Sequence, residues 1–283
     1  MPTAAVSAPF RSSGIVTLTT DFGLVDPFVG VLKGQILQRF RDARIVDLTH
    51  AVAVHRPAEA GFWLGRSFGY FPAGTVHVAV VDPGVGGTRS IAVLEAEGHL
   101  FLAPDNGLLS GVVERLTGVP VIRLLDLELL PRLGIPPPSS TFHGRDIFAP
   151  IAAEVASGRL SPDQLGITGA QLVSGTSAGP RLEPGQATGV VMTVDHFGNL
   201  LTNLDAVLLA DIPDPVVRAG GRDMPLQRTY SDARPGEYLA LINSFGVLEI
   251  ARVEMSAAAG LGLEPGAPVV VQGRGRCSAT RSG

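Results

Sequence analysis

Four segments of the chain hold polar side chains that packing alone does not call for. Thr19-Thr20-Asp21-Phe22-Gly23 follows the β-branched run Ile15–Thr19. In an open parallel sheet, ligands bind beyond the carboxyl ends of the strands. Asp21 is placed there either to accept hydrogen bonds from a ribose diol or to cap its own turn. Asp82-Pro83-Gly84-Val85-Gly86-Gly87-Thr88-Arg89 follows the apolar run Val76–Val81, and its glycines let backbone approach a ligand closely. Asp82 and Arg89 bracket that loop and could pair across it. The loop is neither a P-loop nor a dinucleotide fingerprint.

The third segment, Thr141-Phe142-His143-Gly144-Arg145-Asp146, follows Pro136-Pro137-Pro138 and precedes the helical run Ile147–Ala156. A rigid extended piece thus delivers His143 to a helix start, with charged neighbours of both signs. That suits general acid–base work, with Asp146 as the helix cap. The fourth pairs Asp195-His196-Phe197-Gly198-Asn199 with Asn243-Ser244-Phe245-Gly246. Asn and Ser beside exposed phenylalanines suit a flat heterocycle, and tight hairpin turns are the competing explanation. His196 reads as part of its turn, and Ala103-Pro104-Asp105-Asn106-Gly107 as a structural turn.

Other chemistries fail on spacing or composition. His50 and His55 lie five residues apart with no third ligand nearby, so no metal site is expected. Gly-x-Ser-x-Gly occurs at Gly65–Gly69 and Gly175–Gly179, but the first falls inside the helix read over Pro57–Phe71 and the second inside the linker read over Ser174–Pro184, so neither stands at the strand-to-helix elbow of a serine hydrolase. The one cysteine, Cys277, excludes an internal disulfide. It sits in a tail from Arg274 that also carries Arg276 and Arg281. Lys plus Arg number 22 against 26 Asp plus Glu, for a net charge of −4, so nucleic acid is not an expected partner. Mean hydropathy is +0.29, yet no run nears ~18 apolar residues, so no membrane span is expected. The first fourteen residues lack an apolar core of secretory type. A cytoplasmic globular protein is the expectation.

The elements that must position these groups change character once along the 283 residues. From Ile15 to about Gly158, strand-like runs alternate with helices. Asp26-Pro27 reads as a cap and first-turn proline. Arg44–Leu48 and Val76–Val81 read as strands, and Pro57–Phe71 as a helix. That order predicts an α/β domain over residues 14–178 with a largely parallel sheet. Ser174–Pro184 reads as a linker. Beyond it come short strand candidates: Gln186–Asp195, Val216–Ala219, Met224–Arg228, Tyr238–Asn243, Val247–Val253 and Pro268–Gln272. With little room for helices, residues 184–273 read as a small antiparallel β-barrel.

In order along the chain, Thr-Thr-Asp-Phe-Gly, Asp-Pro-Gly-Val-Gly, Ala-Pro-Asp-Asn-Gly, Phe-His-Gly-Arg-Asp, Asp-His-Phe-Gly-Asn and Asn-Ser-Phe-Gly resemble the adenosine-forming S-adenosylmethionine (SAM) hydrolases. These are also called SAM hydroxide adenosyltransferases and are related to fluorinase and chlorinase. The resemblance runs from Ile15 to about Gln272. It implies a homotrimer whose active sites lie between the N-terminal domain of one subunit and the C-terminal domain of the next. It implies catalytic roles for Asp82, Arg89 and His143, and ribose binding by Asp21. Phe197 and Asn199 match positions at the adenine, and Asp195 and Ser244, with Phe245 beside it, positions at the methionine end. Fluorinase has a tryptophan two residues after the matching asparagine, where this chain has Leu201.

The implied chemistry is attack of water on C5′ of SAM, whose sulfonium leaves as neutral methionine. SAM is then the substrate, and no cofactor or metal is expected. Two alternatives remain: a halide-using SAM transferase and a SAM- or adenosine-binding protein without turnover. Halogenases carry tyrosine where this chain has Asp82. A halide about 4 Å from an ionised carboxylate costs roughly 4 kcal/mol at an effective dielectric of ~20, or about a thousandfold. Gly144 stands where fluorinase has a serine, and the fluorinase insertion has no counterpart between Val93 and Leu102. All three features favour water, and the catalytic set argues against a pure binder.

Overall fold

Runs of aliphatic and β-branched residues form strands covered on both faces, which need no polar alternation. The computed structural model describes residues 10–175 and 179–273; Cys277 and the arginine tail lie outside the described residues. Two compact units divide between Thr176 and Ser177.

The first unit contains β1 (Ile15–Thr20), β2 (Arg44–Thr49), β3 (Val76–Val80), β4 (Ile91–Ala96), β5 (His99–Pro104), β6 (Val121–Leu125) and β7 (Gly166–Thr168). Its helices are α1 (Phe28–Arg39), α2 (Pro57–Ser67), α3 (Ser110–Val113), α4 (Leu129–Arg132) and α5 (Ala149–Ala156). The strands form one sheet in the order β2-β1-β3-β5-β4-β6-β7. Strands β2, β1, β3 and β5 are parallel, and β4, β6 and β7 add antiparallel pairs. The parallel half carries the first two segments singled out above, beyond the ends of β1 and β3. β4 and β5 are antiparallel because only Glu97 and Gly98 join them, both at positive φ (50° and 80°), as a tight hairpin requires.

One face of this sheet packs on α1 and α5 through Leu18, Leu32, Ile36, Val78, Ile147 and Ile151. The other packs on α2 and α3 through Ala60, Leu64, Phe101, Leu108 and Val112. Burying such side chains contributes about 1.5–3 kcal/mol each, and that holds the strand ends in place. Asp26 does not cap α1. Pro27 already has helical dihedrals (φ −74°, ψ 0°) and occupies the capping position, which leaves Asp26 one residue too early.

The second unit contains β8 (Arg181–Glu183), β9 (Gln186–Val194), β10 (Leu200–Asp205), β11 (Pro215–Ala219), β12 (Arg222–Gln227), β13 (Tyr238–Ile242), β14 (Val247–Arg252) and β15 (Pro268–Gly273). Two short helices, α6 (Ala206–Leu209) and α7 (Ala257–Leu261), sit among them. The order β10-β14-β13-β12-β11-β15-β9, with β9 pairing back to β10, closes a seven-stranded barrel. Residues of β9 alternate between buried and half-buried, the period expected of a barrel wall. Inside lie Val191, Leu204, Val217, Met224, Ile250 and Val271.

Three details depart from the sequence reading. The β12–β13 pairing is parallel, while every other strand pairing of the barrel is antiparallel. Strand β10 escaped detection because its register against β9 shifts between Leu201 and Thr202, and that irregularity erases the alternation. Arg181–Glu183, inside the expected linker, instead pairs with β9 as β8. Among the described residues no helix is long and apolar enough to cross a membrane.

Candidate active site

Strand β3 ends at the buried Val80, and the buried Val81 just after it leads to Asp82. Asn106 Nδ2 donates to the Val81 carbonyl at 2.9 Å, so the turn after β5 holds the residue just before Asp82. The following loop folds back until Arg89 grips the Asp82 carboxylate. Arg89 Nε lies 3.1 Å from Oδ1 and 2.9 Å from Oδ2, and Nη2 also donates to Oδ2. A two-pronged contact of this kind fixes the plane of both groups. Gly86 makes the fold-back possible. Its φ is +77°, and a Cβ there would stand 2.0 Å from the Ser140 carbonyl oxygen, so the loop and the segment before His143 touch through backbone.

Arg89 Nη2 also meets His143 Nδ1 at 2.8 Å. A guanidinium has no acceptor, so Nδ1 must accept and the proton of the neutral ring sits on Nε2. Burial, then the Arg89 charge, hold His143 below the usual histidine range; the Asp82 and Asp146 charges and a hydrogen bond to the Ser139 backbone pull the other way. His143 is therefore held in its neutral form, with the Ser139 backbone as a partner for its ring N–H. The Asp82 side chain is 4% exposed and that of Arg89 12%, so this pair is little screened.

His143 opens a π-helical turn, Gly144–Phe148, that runs into α5, and single π turns recur at functional sites. Asp146 is not the helix cap. Its Oδ2 accepts from Ser139 N (2.9 Å), Ser139 Oγ (2.6 Å) and Arg145 Nη2 (3.0 Å). Burial pulls its pKa upward, but the Arg145 and Ser139 bonds override this and bring it down to about 2. It lies inside the first turn, where it ties the incoming segment to the helix.

Asp82 and His143 border a cavity of about 310 Å³ that is also lined by Asp21, Phe22, Phe28 and Phe142 among others. Asp21 reaches it from the end of β1 and accepts at Oδ2 from the His55 N–H at 3.0 Å. Phe22, Phe28 and Phe142 form a three-way edge-to-face cluster with centroids 5.4–6.2 Å apart. Sequence reasoning missed this aromatic wall, although two of the three rings sit inside the quoted segments. A Cβ on Gly144 would lie 3.3 Å from Phe142 and 3.4 Å from Phe22, so a larger residue there must displace the rings.

The barrel unit treats its candidates differently. Asp195 Oδ1 accepts the N–H groups of Phe197 (2.9 Å) and Asn199 (2.8 Å), and Oδ2 accepts Asn199 Nδ2 at 3.0 Å. Asn199 is buried while Phe197 is 76% exposed. His196 lies in the turn. Asn243 Oδ1 accepts from Phe245 N, which leaves Ser244 exposed at the tip. Beneath that turn, the buried Glu249 accepts from Asn243 Nδ2 at 3.1 Å and from the Tyr230 hydroxyl at 2.6 Å. Burial raises the Glu249 pKa, and the Asp195 charge adds to the rise against the two hydrogen bonds. Its sequence signal is one acid within the apolar strand Val247–Arg252. Among the described residues no group of three or more His, Cys, Asp or Glu could hold a metal ion.

The chain matches the sequence profile of the SAM hydroxide adenosyltransferase N-terminal domain over residues 16–166 and of its C-terminal domain over 189–270. It is 38% identical to a Thermus thermophilus protein named (R)-S-adenosyl-L-methionine hydrolase, covering 90% of this chain and 98% of that one. A fluorinase of Actinoplanes sp. is more distant, at 27% identity over 93% of this chain and 99% of its own. A crystal structure of an uncharacterized conserved protein from Thermotoga maritima superposes with a TM-score of 0.83 at 34% identity, covering 91% of this chain and 99% of that one.

Proposed function

The chain belongs to the SAM hydroxide adenosyltransferase family, and from that premise we propose that it hydrolyses SAM to adenosine and L-methionine. The observation that carries the reading is Arg89 holding Asp82 on one side and His143 on the other, at the wall of a cavity that also receives Asp21.

Water forms a bond to C5′ as the C5′–S bond breaks. The electron pair stays on sulfur, which turns the sulfonium into a neutral thioether, and one proton leaves the water. Of the three groups, Arg89 cannot accept that proton, and His143 carries its own at Nε2 while Nδ1 is engaged. Asp82 is the member that keeps lone pairs for a water, so it acts as the base. Arg89 offsets charge on the developing hydroxide, and His143, fixed by Arg89 at the cavity wall, helps to orient the nucleophile. No cofactor takes part, because SAM supplies its own leaving group. Asp195, Phe197, Asn199, Ser244 and Phe245 contribute adenine and methionine contacts in this reading, and the enzyme works as a homotrimer in the cytoplasm.

The test incubates purified, chelator-treated protein with SAM in chloride-free buffer, then with added fluoride or chloride. Equal amounts of adenosine and methionine, with ¹⁸O from labelled water in the adenosine, are expected under every condition. A 5′-halo-adenosine would transfer the assignment to the halogenases, and bound but unreacted SAM would leave a binding protein. Repeating the assay on separated sulfonium diastereomers reads the stereochemical preference named in the relatives. Sedimentation velocity reads the trimer.

A further inference from the structure

His50, which lines neither the cavity nor the catalytic set, ties together the loop that presents Asp21 and Phe22. It is 5% exposed and follows β2 directly. Its Nδ1 meets Thr20 Oγ1 at 2.8 Å, and Thr20 Oγ1 in turn accepts the Phe22 N–H at 3.2 Å. The His50 carbonyl accepts the Gly23 N–H at 2.8 Å. Side chain and backbone of one residue therefore hold the loop on both sides of Asp21. On the far side of the ring, Nε2 faces Asp47 Oδ1 at 3.1 Å, and Asp47 Oδ2 is held by Lys33 Nζ at 2.6 Å. Thr20 Oγ1 thus joins the His50 ring to the Phe22 backbone.

The backbone supports the same device from a second direction. The β1–β2 register slips between Leu18 and Thr19, exactly where the two strands approach Thr20 and His50. The chain leaving His50 reaches His55 at φ +63°, a conformation that costs a non-glycine residue free energy, and it is the His55 N–H that bonds Asp21 Oδ2. One short segment, 50–55, thus clamps both the loop backbone and the Asp21 carboxylate.

We propose that His50 is a positioning residue: through Thr20 it sets the aim of Asp21 and Phe22 on the ribose end of the substrate. The proposal rests on the function argued above. Asp21 would contact ribose in the ground state and the transition state alike, so losing its aim weakens binding and leaves the chemical step nearly intact.

The test begins with wild-type SAM turnover and wild-type adenosine affinity by calorimetry, which settle the function itself whatever the variants do. His50→Ala and Thr20→Val are each expected to raise KM for SAM and Kd for adenosine by about tenfold, with kcat within about twofold of wild type. The double variant should be no worse than Thr20→Val alone, because that change already removes the His50 bond along with the acceptor of the Phe22 N–H. His50→Asn places an amide oxygen near the Nδ1 position and should recover most of the affinity. His50→Gln, whose amide reaches toward the Nε2 position, should not. A lower melting temperature with unchanged KM and Kd would make His50 a purely structural residue and overturn the proposal. Equal rescue by Gln and Asn would also overturn it. If His50→Ala fails to fold, Thr20→Val carries the same two readouts alone.

Discussion

The site loops of the α/β unit and the turns of the barrel are written in nearly the same residues, Asp, Asn, Gly and Phe, yet the two regions use them differently. In the first unit Asp82 and Arg89 meet across a glycine loop, and Arg89 reaches His143 from a segment more than fifty residues on. Those polar atoms are engaged with other side chains at a cavity. In the barrel, Asp195, Asn199 and Asn243 bond to backbone and side chains of their own turns, while Phe197 and Ser244 face outward. The first arrangement ties three ionisable side chains to one another across separate segments. The second is a rigid platform that presents a ring and a hydroxyl.

The contrast breaks hardest on Asp82. Replacing it by Asn keeps the shape of the site but removes the acceptor strength that a base needs. Turnover of SAM should fall by about 10²–10⁴, with SAM affinity by calorimetry within a few fold of wild type. Unchanged turnover would remove Asp82 from the mechanism and leave the pair with Arg89 as a loop staple.

The matching change in the barrel should register in stability. Asp195→Ala deletes the acceptor of two N–H groups and of the buried Asn199 amide. Leaving such donors unpaired costs about 1–3 kcal/mol, read as a lower urea midpoint. Asp195→Asn keeps the Oδ1 acceptor and should recover most of the loss. Equal damage from both variants would show that the carboxylate charge, rather than the turn, is what the position needs.

The sequence made some of this visible and hid the rest for physical reasons. Asp82 and Arg89 could be picked out because they bracket a glycine-rich loop after an apolar run, and His143 because a proline segment delivers it to a helix start beside charged neighbours. The α/β and barrel classes followed from strand spacing. Asp146 and Asp26 were misread as caps because a sequence shows which residue can cap but not where helical dihedrals begin. The wall of Phe22, Phe28 and Phe142 was hidden because it joins three elements through tertiary contact. Strand β10 was lost to a register shift. Glu249 and His50 bond to residues of neighbouring turns, and only distances reveal such contacts.

A finer contrast between the units is how each answers acid. In the α/β unit His77 is fully buried, with Nδ1 at 2.8 Å from Thr17 Oγ1, Nε2 at 3.1 Å from His99 Nδ1, and its ring stacked on Phe101. Burial first, then repulsion from His99, bring its pKa down to about 3, and burial lowers His99 as well. Unfolded histidine titrates near pH ~6.5, so between there and pH ~3 the unfolded chain binds the extra proton. The stability this unit draws from neutral His77 is complete above pH ~6.5 and declines as the pH falls, by up to about 1.4 kcal/mol per pH unit. Glu249 in the barrel has the opposite sign. Its folded pKa lies above the ordinary value, so the folded state holds the extra proton, and the cost of burying its charge fades as the pH falls toward ~4.5. Hydrogen exchange at pH 7, 6 and 5, corrected for intrinsic rates, should therefore show amides of β3 and β5 losing protection while those of β14 hold theirs. Parallel losses in both units would mean that they unfold as one cooperative body. Retained protection in β3 with His77→Phe, against loss in the wild type, would assign the acid response to that ring.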